Sequence, residues 1–167
     1  MAVLRMRKRH RLRQKEIHDL SARISSALGT ETFGEGNTVD MAETPDFHVL
    51  FVDGASLGLV SDGEPFLTVR GLLRYGATKR FVTVDMGAVP FVANGADVMG
   101  PGVVDADRGV AEGDFVWVRD ERNLQPLAVG RALVSANDML ARPKGKVVSS
   151  VHFVGDRLWA IDEEAQE

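Results

Sequence analysis

The side chains from which this 167-residue chain could build chemistry are four His, fourteen Asp and ten Glu, with no Cys. Without cysteine there is no thiol nucleophile, no zinc ribbon and no iron–sulfur site. The absence also fits a reducing compartment. His10 and His18 lie in a basic N-terminal stretch, His48 in a strand-like run and His152 ahead of a turn; they share no metal-ligand spacing. No serine sits in a Gly-x-Ser-x-Gly elbow. Asp105 and Asp107 could form a metal or acid/base pair, but no further ligand pattern follows them, and a solvated loop is the simpler reading. Gly95-Ala96 and Gly100-Pro101-Gly102 lack the downstream helix and acidic residue of a dinucleotide site, and no phosphate-loop motif is present. Two readings of these glycines stay open: turn geometry, or close approach of the main chain to a ligand. We therefore expect no catalytic residues, no metal ligands and no cofactor.

The cations are more informative. The net charge of −4 opposes a polyanionic partner at first sight. Residues 1–23, however, carry eight basic groups against two acidic ones, a net +6, and the other 144 residues carry −10. Arg5, Arg7, Lys8, Arg9, Arg11 and Arg13 crowd the start of the chain. Such a run is a solvated charge patch, a phosphate-binding arm or a membrane-surface anchor. The membrane reading is the weakest, because the apolar face of the first helix has no Trp or Phe. No apolar run approaches the ~20 residues of a spanning helix, and no secretory signal follows the basic start. A cytoplasmic protein is expected.

The elements that must position these groups can be read from periodicity. Ile17, Leu20, Ile24 and Leu28 recur at helical spacing, so 12–28 is a helix that Gly29 stops. The basic residues ahead of it continue the helix, form a loose arm or make a first strand. Strands are expected at Val39–Glu43, His48–Asp53, Ser56–Ser61 and Phe66–Val69, with hairpin turns at Asp53-Gly54 and Asp62-Gly63. Thr68–Tyr75 is alternatively a short helix ending at Gly76. Beyond residue 79 the texture changes to short β-branched runs with glycine punctuation. These are 80–84, 98–99, 115–118, 127–129, 132–134, 147–153 and 158–161, with a short helix over Gly87–Asn94 that has Pro90 in its first turn. A small β-barrel is the expected architecture there. The boundary falls near Ala77-Thr78.

The run Val84-Asp85-Met86-Gly87-Ala88, then Val92-Ala93-Asn94-Gly95-Ala96-Asp97-Val98-Met99-Gly100-Pro101-Gly102-Val103, resembles the core of the PUA domain, named for pseudouridine synthases and archaeosine transglycosylases. Matches continue through Gly113–Val118, Ala128–Ala132, Lys144-Gly145-Lys146 and a closing hairpin at His152–Trp159. The earlier stretch Gly63–Tyr75 resembles the end of the N-terminal domain in the malignant T-cell amplified sequence family and its archaeal relatives. The resemblance implies an α+β protein, a small N-terminal α/β domain followed by a C-terminal PUA β-pseudobarrel. The domains would be 1–77, 78–162 and an acidic tail at 163–167.

The resemblance further implies a non-catalytic, translation-associated RNA-binding protein. Its partner would be structured RNA, either tRNA at the 3′ acceptor region or rRNA. The small ribosomal subunit and a translation-factor partner are the implied assemblies. On the family pattern the groove lies by the short helix and the segment up to Val103. Gly95, Ala96, Gly100 and Gly102 would let RNA approach the main chain, with their N–H groups serving as a phosphate nest. Asn94 and Asp97 would face a base edge or a 2′-hydroxyl. Met99 would pack under an unstacked base or else take a core position, and Pro101 would be among the RNA-binding residues. Lys79, Arg80, Lys144 and Lys146 would contact phosphates, with Arg5, Arg7, Lys8, Arg9, Arg11 and Arg13 as auxiliary contacts. Two alternatives stand beside this. One is an accessory tRNA-presenting subunit of an RNA-modifying enzyme of the pseudouridine synthase or archaeosine transglycosylase type. The other is a protein-interaction adaptor that binds no RNA.

Overall fold

A computed structural model describes residues 3–164. The expected acidic tail falls outside the described residues, apart from the backbone of 163 and 164 at the end of the last helix. The chain divides into two compact units. One comprises the residues up to Ala77 together with those from Arg157 onward, and the other is Thr78–Asp156. Among the described residues no helix is long and apolar enough to cross a membrane.

The first unit is an antiparallel meander in chain order: β1 (Arg7–Arg11), β2 (Val39–Glu43), β3 (His48–Val52), β4 (Ala55–Ser61) and β5 (Glu64–Leu67). Helix α1 (Gln14–Leu28) buries Ile17, Ile24 and Leu28, the stripe its 3.6-residue period dictates. Gly29, with φ 66°, closes it in the left-handed conformation that glycine adopts without a Cβ penalty. The two Asp-Gly pairs turn their hairpins with positive φ at both positions, 49° and 88°, then 52° and 75°. That is the type I′ geometry whose twist matches the flanking strands. Helix α2 (Val69–Tyr75) is capped by Thr68, whose Oγ1 accepts from Gly71 N at 3.1 Å and donates to Ser56 O at 2.7 Å. The helix thus begins where the strand ends, which resolves the ambiguity over 66–75.

The second unit contains β6 (Phe81–Val84), α3 (Val89–Val92), β7 (Val98–Met99), β8 (Val103–Ala106), β9 (Phe115–Asp120), β10 (Pro126–Ala132), α4 (Ala136–Leu140) and β11 (Lys146–Phe153). A 3₁₀ turn, Gly100–Gly102, joins β7 to β8. Its strands run β7-β11-β10-β9-β6-β8, antiparallel except for the β6–β9 pair. One face closes over a valine-rich core that includes Val82, Val84, Val116, Val118, Val148 and Met139. Three features differ from expectation. The runs 127–129 and 132–134 are not separate strands: β10 passes unbroken through Gly130 and ends at Ala132, leaving Leu133 and Val134 beyond it, and a Cβ on Gly130 would collide with Ser149 O of β11. Asp105 belongs to strand β8, not to a solvated loop, and Arg108 donates to it at 2.9 Å. The segment 158–161 is not a closing strand but part of helix α5 (Arg157–Glu164), which belongs to the first unit. A four-residue apolar run cannot distinguish the two. Asp162 decides it: its carboxylate accepts Ser56 N of β4 at 3.1 Å and meets Arg70 Nε at 3.3 Å, while the Arg70 guanidinium lies 3.8 Å over the Trp159 ring.

Candidate functional site

The second unit carries a groove of about 510 Å³ between α3 and the turn after β7. Its construction begins at the end of β6. Asp85 N donates to Gly102 O at 2.9 Å, and Asp85 Oδ1 accepts from Ala88 N at 2.9 Å. These two bonds hold the start of α3 against the 3₁₀ turn. Pro90 supplies the fixed φ of the first helical turn. Asn94 Nδ2 donates to Pro90 O at 2.8 Å and closes the other end. Ala88, Val92 and Ala96 line one side, and Met99, Pro101 and Gly102 the other.

Two large apolar side chains stand open at this groove. Phe91 is 67% exposed and Met99 is 47% exposed. Water contact at that level is a cost that a monomer carries singly without explanation. Two such groups lining one groove describe a surface suited to a flat apolar ligand. The polar lining is Asp85, Asp97 and Lys146. Asp97 is held firmly: Oδ1 accepts Ser150 N at 2.8 Å and Oδ2 meets Lys146 Nζ at 2.9 Å. The Ser150 N–H, and then the ammonium of Lys146, keep its carboxyl below the ordinary range. Lys146 remains 61% exposed, so its ammonium has donors to spare for a ligand.

Of the residues expected to form the site, Ala96, Asp97, Met99, Pro101, Gly102 and Lys146 come together along this groove. Asn94 and Gly95 follow α3 without lining it. Gly95, with φ 97°, packs instead against Phe153, whose ring a Cβ would meet at 2.7 Å. Gly100 is equally committed inward, since a Cβ there would meet Pro143 N and Cδ at 2.8 Å. The N–H groups of Gly95, Ala96 and Gly100 donate to Val92 O, Phe91 O and Gly145 O. The expected phosphate nest is therefore not formed by them, because the fold already uses their hydrogens. Lys79 and Arg80 stand at the far end of β6 from Asp85. Lys79 O accepts Trp117 Nε1 at 2.8 Å, and Arg80 reaches Phe115 O at 3.3 Å and Asp114 at 3.7 Å. Lys144 is exposed beside the groove segment, next to Gly145, but does not line it.

Phe91 and Asp85 were not singled out from the sequence. An apolar residue in a helix reads as core by default, and only the four-residue length of α3 signals that one of its faces has nothing to cover it. Arg142 was also missed: its guanidinium donates to Pro101 O, which places a third cation with Lys144 and Lys146 on the α4–β11 connection. The described groove lining combines apolar side chains with Asp85, Asp97 and Lys146.

The six N-terminal cations lie in the first unit. Arg7, Lys8, Arg9 and Arg11 take the first-strand alternative, since 7–11 is β1, paired with β2 and exposed at all five positions, while Arg5 precedes the strand and Arg13 stands at the start of α1. Among the described residues, no group of three His, Cys, Asp or Glu is arranged to hold a metal.

Comparison with known proteins places these features. Residues 80–154 match the PUA domain. An uncharacterized protein of Methanocaldococcus jannaschii is 35% identical over 158 residues, 93% of this chain and 98% of that one. The crystal structure of a hypothetical protein from Pyrococcus horikoshii OT3 superposes with a TM-score of 0.81 at 33% identity, covering 92% of this chain and 99% of that one. Translation machinery-associated protein 20 of Eremothecium gossypii is 33% identical over 98 residues, 55% of this chain and only 54% of its own.

Proposed function

From the premise that the chain belongs to the family of archaeal PUA-domain proteins and their eukaryotic relatives, the malignant T-cell-amplified sequence and translation machinery-associated 20 proteins, we propose that it is a translation-associated RNA-binding protein. We assign the groove of the second unit to an unpaired segment of structured RNA. The observation that carries this is the exposed pair Phe91 and Met99 beside a rim of Lys146, Lys144 and Arg142. An aromatic ring and a thioether offer a base two apolar surfaces to stack on, and the cations meet the phosphates on either side of it. Asp85 and the backbone of the 3₁₀ turn supply the acceptors for a base edge or a 2′-hydroxyl.

The finer reading is a tRNA bound at its single-stranded 3′ end, or a single-stranded element of small-subunit rRNA. A family whose eukaryotic relatives are named for the translation machinery supports both. A duplex is the poorer candidate, because its bases are already stacked and its deep groove is closed to side chains. The role is binding without catalysis, in keeping with the apolar groove.

The test is filter binding of the full chain to a deacylated tRNA and to the same tRNA lacking its 3′-terminal single strand. Tighter binding of the intact tRNA is expected. Equal binding removes the 3′ end from the reading, and no binding to either removes RNA.

A further inference from the structure

Strand β1 is the edge of the first unit's sheet, and its partner on one side only is β2. Edge strands offer unpaired backbone groups, and proteins commonly blunt them with lysine, arginine and bulges. Both devices are present. Between Arg7 and His10 the register slips, so that three steps along β1 answer two along β2, and Lys8 sits there with φ 54°. A bulge of this kind breaks the regular ladder and makes the edge a poor template for another strand. What the edge does present is charge.

The six cations are not equivalent. Asp40, on β2, accepts from Arg9 Nε at 3.1 Å and from Arg11 Nε at 2.5 Å. Arg9 also lies 4.0 Å over the ring of Phe51, a buried side chain of β3. These two guanidiniums staple the strand to its sheet. Hydrogen bonding to Arg11 keeps the Asp40 carboxyl below its ordinary range, with Arg9 adding to the effect against burial. Arg5, Arg7, Lys8 and Arg13 are exposed and make no ion pair with a described carboxylate. Glu43 stands directly across from Arg7 without pairing to it.

We propose that β1 is a second polyanion-contact surface, separate from the groove, in which Arg5, Arg7, Lys8 and Arg13 engage the phosphates of RNA while Asp40 withholds Arg9 and Arg11 from that task. This rests on the reading of the chain as an RNA-binding protein. Arg7 and Lys8 lie in β1 itself, Arg5 just before it and Arg13 at the start of α1, so the four cations are strung along one exposed stretch of chain, which suits a backbone with one charge per nucleotide better than a compact anion. The division of labour makes Asp40 the residue that sets how many charges the surface presents.

The experiment measures the affinity of the full chain for a uridine 20-mer and for deacylated tRNA as a function of KCl. Each phosphate contact to a single strand contributes about 0.7 to the slope of log K against log salt. The variant Arg5→Gln/Arg7→Gln/Lys8→Gln should lower the slope by ~2 with an unchanged melting temperature, since none of the three holds the fold. Asp40→Asn should raise the slope, by ~1 if both guanidiniums come free. An unchanged slope in the triple variant overturns the proposal. So does an equal fall in Arg9→Gln/Arg11→Gln, which would erase the division between staples and contacts. Loss of binding to vesicles of phosphatidylcholine with phosphatidylserine, with RNA binding intact, also overturns it and assigns the strand to a lipid surface. Phe91→Ala/Met99→Ala separates the two sites: if that variant binds tRNA normally while the triple variant loses slope, the groove assignment fails and the β1 proposal stands.

Discussion

Replacing Gly100 by alanine puts the construction of the groove to a test whose size can be worked out. A Cβ at this position would fall inside van der Waals distance of Pro143 O and lie 2.8 Å from Pro143 N and Cδ. Carbon contacts are comfortable at about 3.5–4.0 Å, so two stretches of backbone must separate by roughly 0.7 Å or more. Neither is the free end of a flexible side chain. The Gly100 N–H donates to Gly145 O at 2.9 Å across the same approach and cannot survive that separation intact. Overpacking costs about 1–3 kcal/mol, and a backbone hydrogen bond contributes about 1 kcal/mol. Gly100→Ala should therefore destabilise the second unit by ~3 kcal/mol, lowering its melting temperature by roughly 12–24 °C for a unit of this size that melts on its own. Gly36→Ala is the control, with nothing within 4 Å of its added Cβ, and should stay within about 0.5 kcal/mol of wild type. Urea titration with hydrogen exchange on the β7 and β11 amides localises the loss. Met99 and Pro101 flank Gly100, so affinity for tRNA should fall as well. If Gly100→Ala melts with Gly36→Ala, the inward commitment of this glycine is wrong and the ligand-approach reading of it returns.

Two further outcomes follow from the same geometry. Phe91→Ala should leave stability within about 0.5 kcal/mol, since the ring is 67% exposed, yet weaken tRNA binding by about 1–3 kcal/mol if a base stacks there; paired melting and filter-binding curves check both halves, and a stability loss without a binding loss assigns the ring to packing. The Asp97 carboxyl is depressed by Ser150 N–H and Lys146, so its stabilising contribution is present above the ordinary carboxyl pKa of about 3.9 and is lost as pH falls through the lower folded-state value. Asp97→Asn should be less stable than wild type at neutral pH, with the gap narrowing below pH ~4 in acid-titrated urea melts; a constant gap across that range would mean the carboxylate's charge does not matter.

How much of this was legible in the residues depended on whether a local signal existed. Helix α1 was readable because four aliphatics share one face and Gly29 closes it. The Asp-Gly hairpins were readable because few other pairs tolerate positive φ twice in succession. The groove lining from Ala96 to Gly102 was readable through family resemblance, not through physics. What failed lacked a local cause. The helical state of 158–161 is set by Asp162 reaching Ser56, more than a hundred residues away in sequence. The unbroken strand through Gly130 depends on the carbonyl of Ser149 on a neighbouring strand. The glycines of the groove left two readings open, a turn or an opening for a ligand, and the fold uses Gly95 and Gly100 to bring Phe153 and Pro143 close. Type and spacing marked them as special; only the tertiary neighbours show which surface needed the missing Cβ.

The charge count changes meaning once the pairs are known. Asp40 takes Arg9 and Arg11, Asp97 takes Lys146, Asp105 takes Arg108 and Asp162 takes Arg70. These four aspartates are thus internal partners of cations, not part of a field that repels a polyanion. The proposed RNA contacts fall into two physical regimes. Along β1 the contacts are ionic and release counterions, so they weaken steeply with salt. In the groove, an apolar floor with Phe91 and Met99 binds by stacking, and its rim contributes few charges, so it keeps its strength when the Debye length shrinks. An overall charge of −4 is compatible with both, because one mechanism needs only a local excess and the other scarcely needs charge at all.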